Sequence, residues 1–66
     1  MALGDASPRE YEVFRMMIRN YSNEMIAREL FISEHTVRNY VSKIYELSGM
    51  HNRSQLIIWA MKNRIL

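Results

Sequence analysis

The sequence predicts an all-α domain of four helices, and three observations carry that prediction. The chain has 66 residues, which is room for one domain at most and for a modest core. Four segments place apolar residues at helical spacing, and three of them follow a serine that can cap a helix. No segment alternates apolar and polar residues with the period of a β-strand, so sheet architectures are not expected.

The first helix is predicted to begin at a capping box. Residues 1–6 are short, unpatterned and rich in small side chains, so they are predicted to be a linker or disordered terminus, with the domain over 7–66. Ser7 can cap, Pro8 suits the first helical position, and Glu10 stands three residues after the cap. The apolar stripe of this helix is Val13, Phe14, Met17 and Ile18.

The second and third helices are predicted to be joined by a very short break. Ser22 is the cap expected for a short helix over 23–30, whose apolar side is Ile26, Ala27 and Leu30. Ser33 is the next cap, and the third helix should run over about 34–48, where Gly49 can end it. The third helix is amphipathic: Val37, Val41, Ile44 and Ser48 lie within one arc, and His35, Arg38, Asn39, Ser42 and Glu46 cover the other side.

The fourth helix, over about 53–65, is apolar on two sides. Leu56 and Ala60 form one stripe that can face the core. A second stripe at i, i+3 and i+7 lies opposite, and a domain this small cannot bury both; it consists of Ile58, Met61 and Ile65. We expect the second stripe to be a dimer interface. The alternative is that these are scattered exposed apolar residues, which are common.

Composition argues against an enzyme or a membrane protein. There is no cysteine and there are two glycines, and no nucleophile–base set or glycine-rich phosphate loop is present. No catalytic residue, cofactor, metal or small-molecule substrate is therefore expected. The longest apolar run, over 56–61, is far shorter than the roughly 20 residues that a spanning helix needs. We expect a cytoplasmic protein without a membrane partner.

Basic side chains are concentrated in the second half of the chain. Residues 1–34 carry four arginines against six acidic residues, whereas residues 35–66 carry five basic residues against Glu46 alone. A basic C-terminal half suits contact with phosphates, although a scatter of so few charges could arise by chance.

The spacing of the second and third helices predicts a helix-turn-helix. The break at residues 31–33 is too short for the chain to continue as one helix if Ser33 caps the next, so the two helices must cross steeply. The outward polar face of the third helix then suits the major groove of DNA.

Several motifs along the chain resemble the LuxR/GerE family of helix-turn-helix domains. Ser7-Pro8-Arg9-Glu10-Tyr11-Glu12-Val13-Phe14 resembles the opening (Thr/Ser)-x-Arg-Glu-x-Glu-Val-Leu. Ser22-Asn23-Glu24-Met25-Ile26-Ala27 resembles Ser-Asn-Lys-Glu-Ile-Ala, and Leu30-Phe31-Ile32-Ser33-Glu34 resembles Leu-x-Ile-Ser-Glu. His35-Thr36-Val37-Arg38 and Asn52-Arg53 complete the resemblance, which covers residues 7 to about 66.

The sequence departs from the family pattern at four sites. Asn20 replaces a loop glycine, Glu24-Met25 replaces Lys-Glu, Leu47-Ser48 replaces Lys-Leu, and Leu56 replaces an alanine. Asn20 retains the left-handed backbone option, and Glu24-Met25 removes a cation near the DNA side. The changes at 47–48 and 56 indicate different packing between the third and fourth helices, and none of the four alters the polar face of the third helix.

The resemblance implies which residues contact DNA. Arg38, Asn39 and Ser42 would face base edges, and their chemistry agrees because Arg pairs with guanine and Asn with adenine through two hydrogen bonds. His35 is a further base-contact candidate, with phosphate contact or simple solvation left open. The resemblance and the helix starts together imply phosphate contacts from Thr36, Lys43, Asn52 and Arg53.

The resulting expectation is sequence-specific binding of double-stranded DNA by a weak homodimer, for transcription regulation in a bacterium. The resemblance also implies response-regulator relatives and RNA polymerase as a further partner. Two alternatives remain open at this point: a sigma-factor region 4-like domain, and a protein-interaction module on the same fold. Self-association through the fourth helix would favour the LuxR/GerE interpretation over the first of these.

Overall fold

Four α-helices account for most of the chain. The computed structural model describes residues 3–66 and places in them α1 (Pro8–Ile18), α2 (Asn23–Leu30), α3 (Glu34–Ser48) and α4 (Arg53–Lys62). The predicted all-α, four-helix architecture is confirmed. Within these residues no helix is long and apolar enough to cross a membrane.

The three predicted serine caps hold the starts of α1, α2 and α3. Each serine Oγ accepts a hydrogen bond at 3.1 Å from the backbone N–H three residues later, at Glu10, Met25 and Thr36. At α1 the Ser7 N–H also donates to the Glu10 carboxylate at 2.7 Å, which completes the capping box. That bond holds the pKa of Glu10 below its ordinary value. Its stabilising effect is therefore lost as the pH falls through the folded-state pKa.

The core forms around α1, which packs against both α3 and α4, and α2 packs against α3. The predicted apolar stripes supply it, and the buried residues are Val13, Phe14, Met17, Ile18, Ile26, Ala27, Val37, Ile44, Leu56 and Ala60. Trp59 is half-buried, and its ring meets that of Phe14 edge-on with centroids 6.3 Å apart. Because α3 contacts both α1 and α2, its orientation is set by the whole core.

The structure differs from the sequence-based helix boundaries at the C-terminus. The fourth helix ends at Lys62, because Arg64 takes a left-handed conformation with φ 57°. The Ile65 N–H then folds back onto the Ala60 carbonyl at 2.9 Å. Ile65 therefore follows the helix instead of continuing its outer stripe.

The segment before α1 contains a short turn. Leu3–Asp5 form a single 3-10 turn that lies against α3, and Ala6 packs half-buried on the core. Met1 and Ala2, the start of the predicted linker, lie outside the described residues. At residues 3–6 the chain is therefore tied to the domain, although its role as a linker remains a prediction.

Candidate nucleic-acid interface

The outward face of α3 presents the side chains that the sequence predicts to contact bases. His35, Arg38, Asn39 and Ser42 are all exposed. At 100° per residue they fall within about 100° of the helix circumference. Val37 and Ile44, on the opposite side, are fully buried. The helix is therefore anchored by its apolar side and offers a continuous polar face to solvent.

The charged side chains on and near this face differ in their position and in whether they form ion pairs. The ion pairs found among residues 3–66 join Arg9 to Glu12, Arg28 to Glu24 and Lys43 to Glu46. Arg38 takes part in none of these pairs. Two carboxylates, Glu34 and Glu46, lie towards the two ends of α3 and are exposed. The centre of the face thus combines a cation with neutral hydrogen-bonding groups, and its ends are acidic.

The start of α3 is held by a compact hydroxyl pair. Ser33 Oγ accepts from the Thr36 N–H and lies 2.9 Å from Thr36 Oγ1. Thr36, which the sequence predicts to contact a phosphate, is half-buried, and its hydroxyl already has this partner. The geometry makes Thr36 part of the cap, and its contact with phosphate stays a prediction.

Two other predicted phosphate contacts differ in how free they are. Lys43 is exposed, and its Nζ lies 4.0 Å from Glu46 Oε1, a loose surface pair that should hold it only weakly. Asn52 is the N-cap of α4, where its Oδ1 accepts from the Gln55 N–H at 3.0 Å. The capping bond leaves the Asn52 side-chain amide exposed to solvent.

Arg53 is the predicted phosphate contact to which the structure gives a different task. Its guanidinium donates to the Tyr21 carbonyl, to the Met17 carbonyl at 3.4 Å and to Asn23 Oδ1 at 3.0 Å. These bonds tie the first turn of α4 to the turn between α1 and α2. These bonds give Arg53 a structural role, and its contact with a phosphate stays a prediction. The partners lie at least 30 residues away along the chain, so no spacing rule in the sequence could have revealed them.

A shallow open depression joins the starts of α2 and α3 on one surface. Its lining residues are Asn20, Tyr21, Ser22, Asn23, Glu24, Glu34 and Arg53. The depression lies at the start of α2, and a helix start is a favourable setting for a phosphate. Glu24 and Glu34 oppose that attraction, so the depression is less suited to anions than its backbone alone suggests.

An apolar surface lies on the far side of α4 from the core. Of the predicted interface residues, Ile58 and Met61 lie on this side of α4 and are 51% and 60% exposed, whereas Ile65 follows the helix and is 41% exposed. Leu66, which the sequence analysis did not include, is 53% exposed beside them in sequence. Leu56 and Ala60 face the core at 0%. The helix is thus apolar on two sides, as predicted.

Comparison with known proteins identifies the family to which this architecture belongs. The model of the family described as "Bacterial regulatory proteins, luxR family" matches residues 6–60. The match covers most of the chain, so the protein belongs to the LuxR family. It is a helix-turn-helix DNA-binding domain of transcription regulators, a class of binding domain and not an enzyme.

Three relatives show how widely the domain is used. The transcriptional regulatory protein DegU of Brevibacillus brevis is 44% identical over 55 residues, 83% of this chain and 23% of DegU. The two-component response regulator PprB of Pseudomonas aeruginosa is 46% identical over 55 residues, 83% of this chain and 20% of PprB. The spore germination protein GerE of Bacillus subtilis is 44% identical over 50 residues, 76% of this chain and 68% of GerE.

The chain spans less than a quarter of DegU and of PprB, and about two thirds of GerE.

Among residues 3–66 there is no cluster of three side chains that could hold a metal ion.

Proposed function

We propose that the domain binds a specific sequence in duplex DNA by placing α3 in the major groove. The observation that carries this proposal is the exposed polar face of α3 opposite a fully buried apolar side. In this arrangement Arg38 and Asn39 face guanine and adenine, and Ser42 and His35 complete the contacts to base edges. The helix is about 22 Å long, and its width fits the groove.

Phosphate contacts in this proposal come from three side chains and from backbone. Lys43 supplies a loosely held cation, Asn52 an exposed amide, and Thr36 a hydroxyl at the start of α3. Backbone N–H groups at the start of α2 add to these at the depression that joins α2 and α3. Arg53, which lines the same depression, holds the α1–α2 turn beside it, and its own contact with a phosphate stays a prediction.

The proposed functional unit on DNA is a homodimer formed through α4. Ile58 and Met61 supply the apolar surface of the helix, and the exposed Ile65 and Leu66 of the segment after it are proposed to take part. α4 is about 15 Å long. The area that these few side chains can bury on a helix of this length should be well below the ~1,600 Å² of a standard interface. The dimer should therefore be weak in solution and form mainly when two copies occupy adjacent half-sites.

The relatives suggest the biological setting. Their names describe transcriptional regulatory proteins and a response regulator. We propose the same role for this chain, regulation of transcription in a bacterial cytoplasm, with RNA polymerase as a further partner.

Selection from a randomised duplex library tests the central proposal. The native chain should enrich a two-fold-symmetric sequence, because two copies related by α4 present two identical α3 helices. Enrichment of no sequence, even at low salt where phosphate contacts are strongest, would contradict specific binding by this domain. The apolar face of α4 would then point to a protein-interaction module instead.

Met61→Glu tests the dimer separately from DNA contact. On a duplex with two half-sites, we expect the affinity of the variant to fall about tenfold through loss of cooperativity, because a buried carboxylate in an apolar interface is costly. Its affinity for a single half-site should be unchanged. Titration of both duplexes by gel shift measures the two quantities.

Met61→Lys is the matched control for charge. It should lose cooperativity as Met61→Glu does, although its charge attracts DNA. Full cooperativity in both variants would place the dimer contact away from Met61.

A further inference from the structure

Phe31 stands at a backbone position whose conformation favours other residue types. It ends α2 in the left-handed conformation, with φ 57° and ψ 43°, and its side chain is 94% exposed. At the turns after α1 and α3 the left-handed positions are held by Asn20 and Gly49, with φ 65° and 72°. Asn and Gly are the residues that tolerate this conformation best.

The ring of Phe31 brings no evident gain to the folded domain. The left-handed conformation is unfavourable for a residue with a bulky side chain. A ring that is almost fully exposed gains little from the hydrophobic effect, which scales with the apolar area removed from water. Since Asn at this position would relieve the strain and expose less apolar surface, the ring is better explained by a contact outside the domain.

The position of Phe31 indicates what that contact is. Only Ile32 separates it from Ser33, the cap of α3, so the Cα atoms of Phe31 and Ser33 are at most about 7 Å apart. The corner between them is held: the Ile32 N–H donates to the Ala27 carbonyl at 3.0 Å, and Ser33 bonds to Thr36. The exposed ring therefore stands at a hydrogen-bonded corner just before the start of α3. His35 and Arg38 lie in the first turns of that helix.

We infer that Phe31 makes an apolar contact with the DNA duplex next to the base pairs that α3 recognises. The inference rests on the proposed function, since it requires α3 to lie in the groove. A neutral ring cannot bind phosphate, but the thymine 5-methyl group offers apolar surface to Phe in the major groove. The face of a deoxyribose at the groove edge is the second source of the same apolar contact.

Phe31→Asn tests this inference, with Phe31→Tyr as the matched control. On the duplex selected by the native chain, Phe31→Asn should bind about threefold to tenfold more weakly. Its resistance to urea should be equal to or greater than that of the native chain, because Asn suits the left-handed turn. Phe31→Tyr keeps the ring and should bind as the native chain does.

Replacing each thymine of the duplex by deoxyuridine, one at a time, locates the contact. A position at which the native chain loses affinity and Phe31→Asn does not is the thymine methyl that the ring touches. Equal effects in both proteins at every position, with Phe31→Asn still weaker overall, assign the contact to a deoxyribose.

Three results would overturn the inference. Native affinity in Phe31→Asn would remove DNA as the partner and leave a protein surface as the occupant. If Phe31→Asn loses helix content together with affinity, the ring serves the fold, which contradicts the premise of the inference. Failure of the native chain to select any duplex would overturn the proposed function itself, which distinguishes that failure from the first result.

Discussion

The double variant Arg38→Ala/Asn39→Ala is expected to lose sequence preference while its fold stays intact. Both side chains are exposed on α3, so their removal leaves no cavity. A bidentate contact to a base discriminates by about 1–3 kcal/mol. Loss of two such contacts should lower affinity for the selected site by about a hundredfold or more, with little change on unrelated DNA. Competition binding on both duplexes measures the difference.

Lys43→Ala and Arg15→Ala provide the comparison for charge. Each removes one cation, as Arg38→Ala does, and both side chains are exposed. Lys43→Ala should weaken binding to all sequences alike and reduce the slope of log affinity against log salt by about one. Arg15 lies on α1 in a groove with Glu12 and Glu29 whose lining includes none of the side chains proposed to contact DNA, so its loss should change neither preference nor slope appreciably.

The base-contact assignment of Arg38 depends on this comparison. If Arg38→Ala lowers affinity equally for every duplex and reduces the salt slope, Arg38 contacts a phosphate. If it changes nothing, the polar face of α3 does not meet DNA. Only a loss confined to one position of the selected site supports the proposed role.

The variant Arg53→Met is expected to be the least stable of those considered. Methionine has a similar length, but it leaves the Tyr21 carbonyl and Asn23 Oδ1 without this donor. The longer bond to the Met17 carbonyl is lost as well, although that carbonyl still accepts from the Asn20 N–H at 2.9 Å. Hydrogen bonds to a charged group contribute about 1.5–3 kcal/mol each. Because Arg53 is only half-buried, we expect a net loss of about 2–4 kcal/mol. For 66 residues this is a large share of a total stability of about 3–10 kcal/mol.

Urea denaturation followed by circular dichroism measures that loss, with Lys62→Met as the control at an exposed position of the same helix. Lys62→Met should unfold within about 0.5 kcal/mol of the native chain. A different outcome would support the predicted phosphate contact of Arg53. If Arg53→Met is as stable as the native chain but binds DNA with a reduced salt slope, then the guanidinium of Arg53 contacts a phosphate in the native complex.

The helix starts and the core stripes were determined by local sequence. Ser7, Ser22 and Ser33 cap helices because each hydroxyl bonds to a backbone N–H three residues away, a distance that the sequence displays directly. Apolar residues at helical spacing likewise face inward wherever the helix packs. The exposure of Arg38 and Asn39 follows from the same periodicity, and the family resemblance implies their base contacts, so neither required tertiary information.

The tertiary structure decided what depends on contacts distant in sequence or on backbone reversal. Arg53 acts as a tie because the fold brings the α1–α2 turn to the start of α4 across more than 30 residues. The end of α4 at Lys62 depends on a left-handed Arg64, a residue type that carries no stop signal. The exposure of Phe31 was likewise hidden, because an aromatic residue between two helices is ordinarily expected to pack. Side-chain spacing encodes local geometry, whereas which distant groups meet is set by the packing of all four helices together.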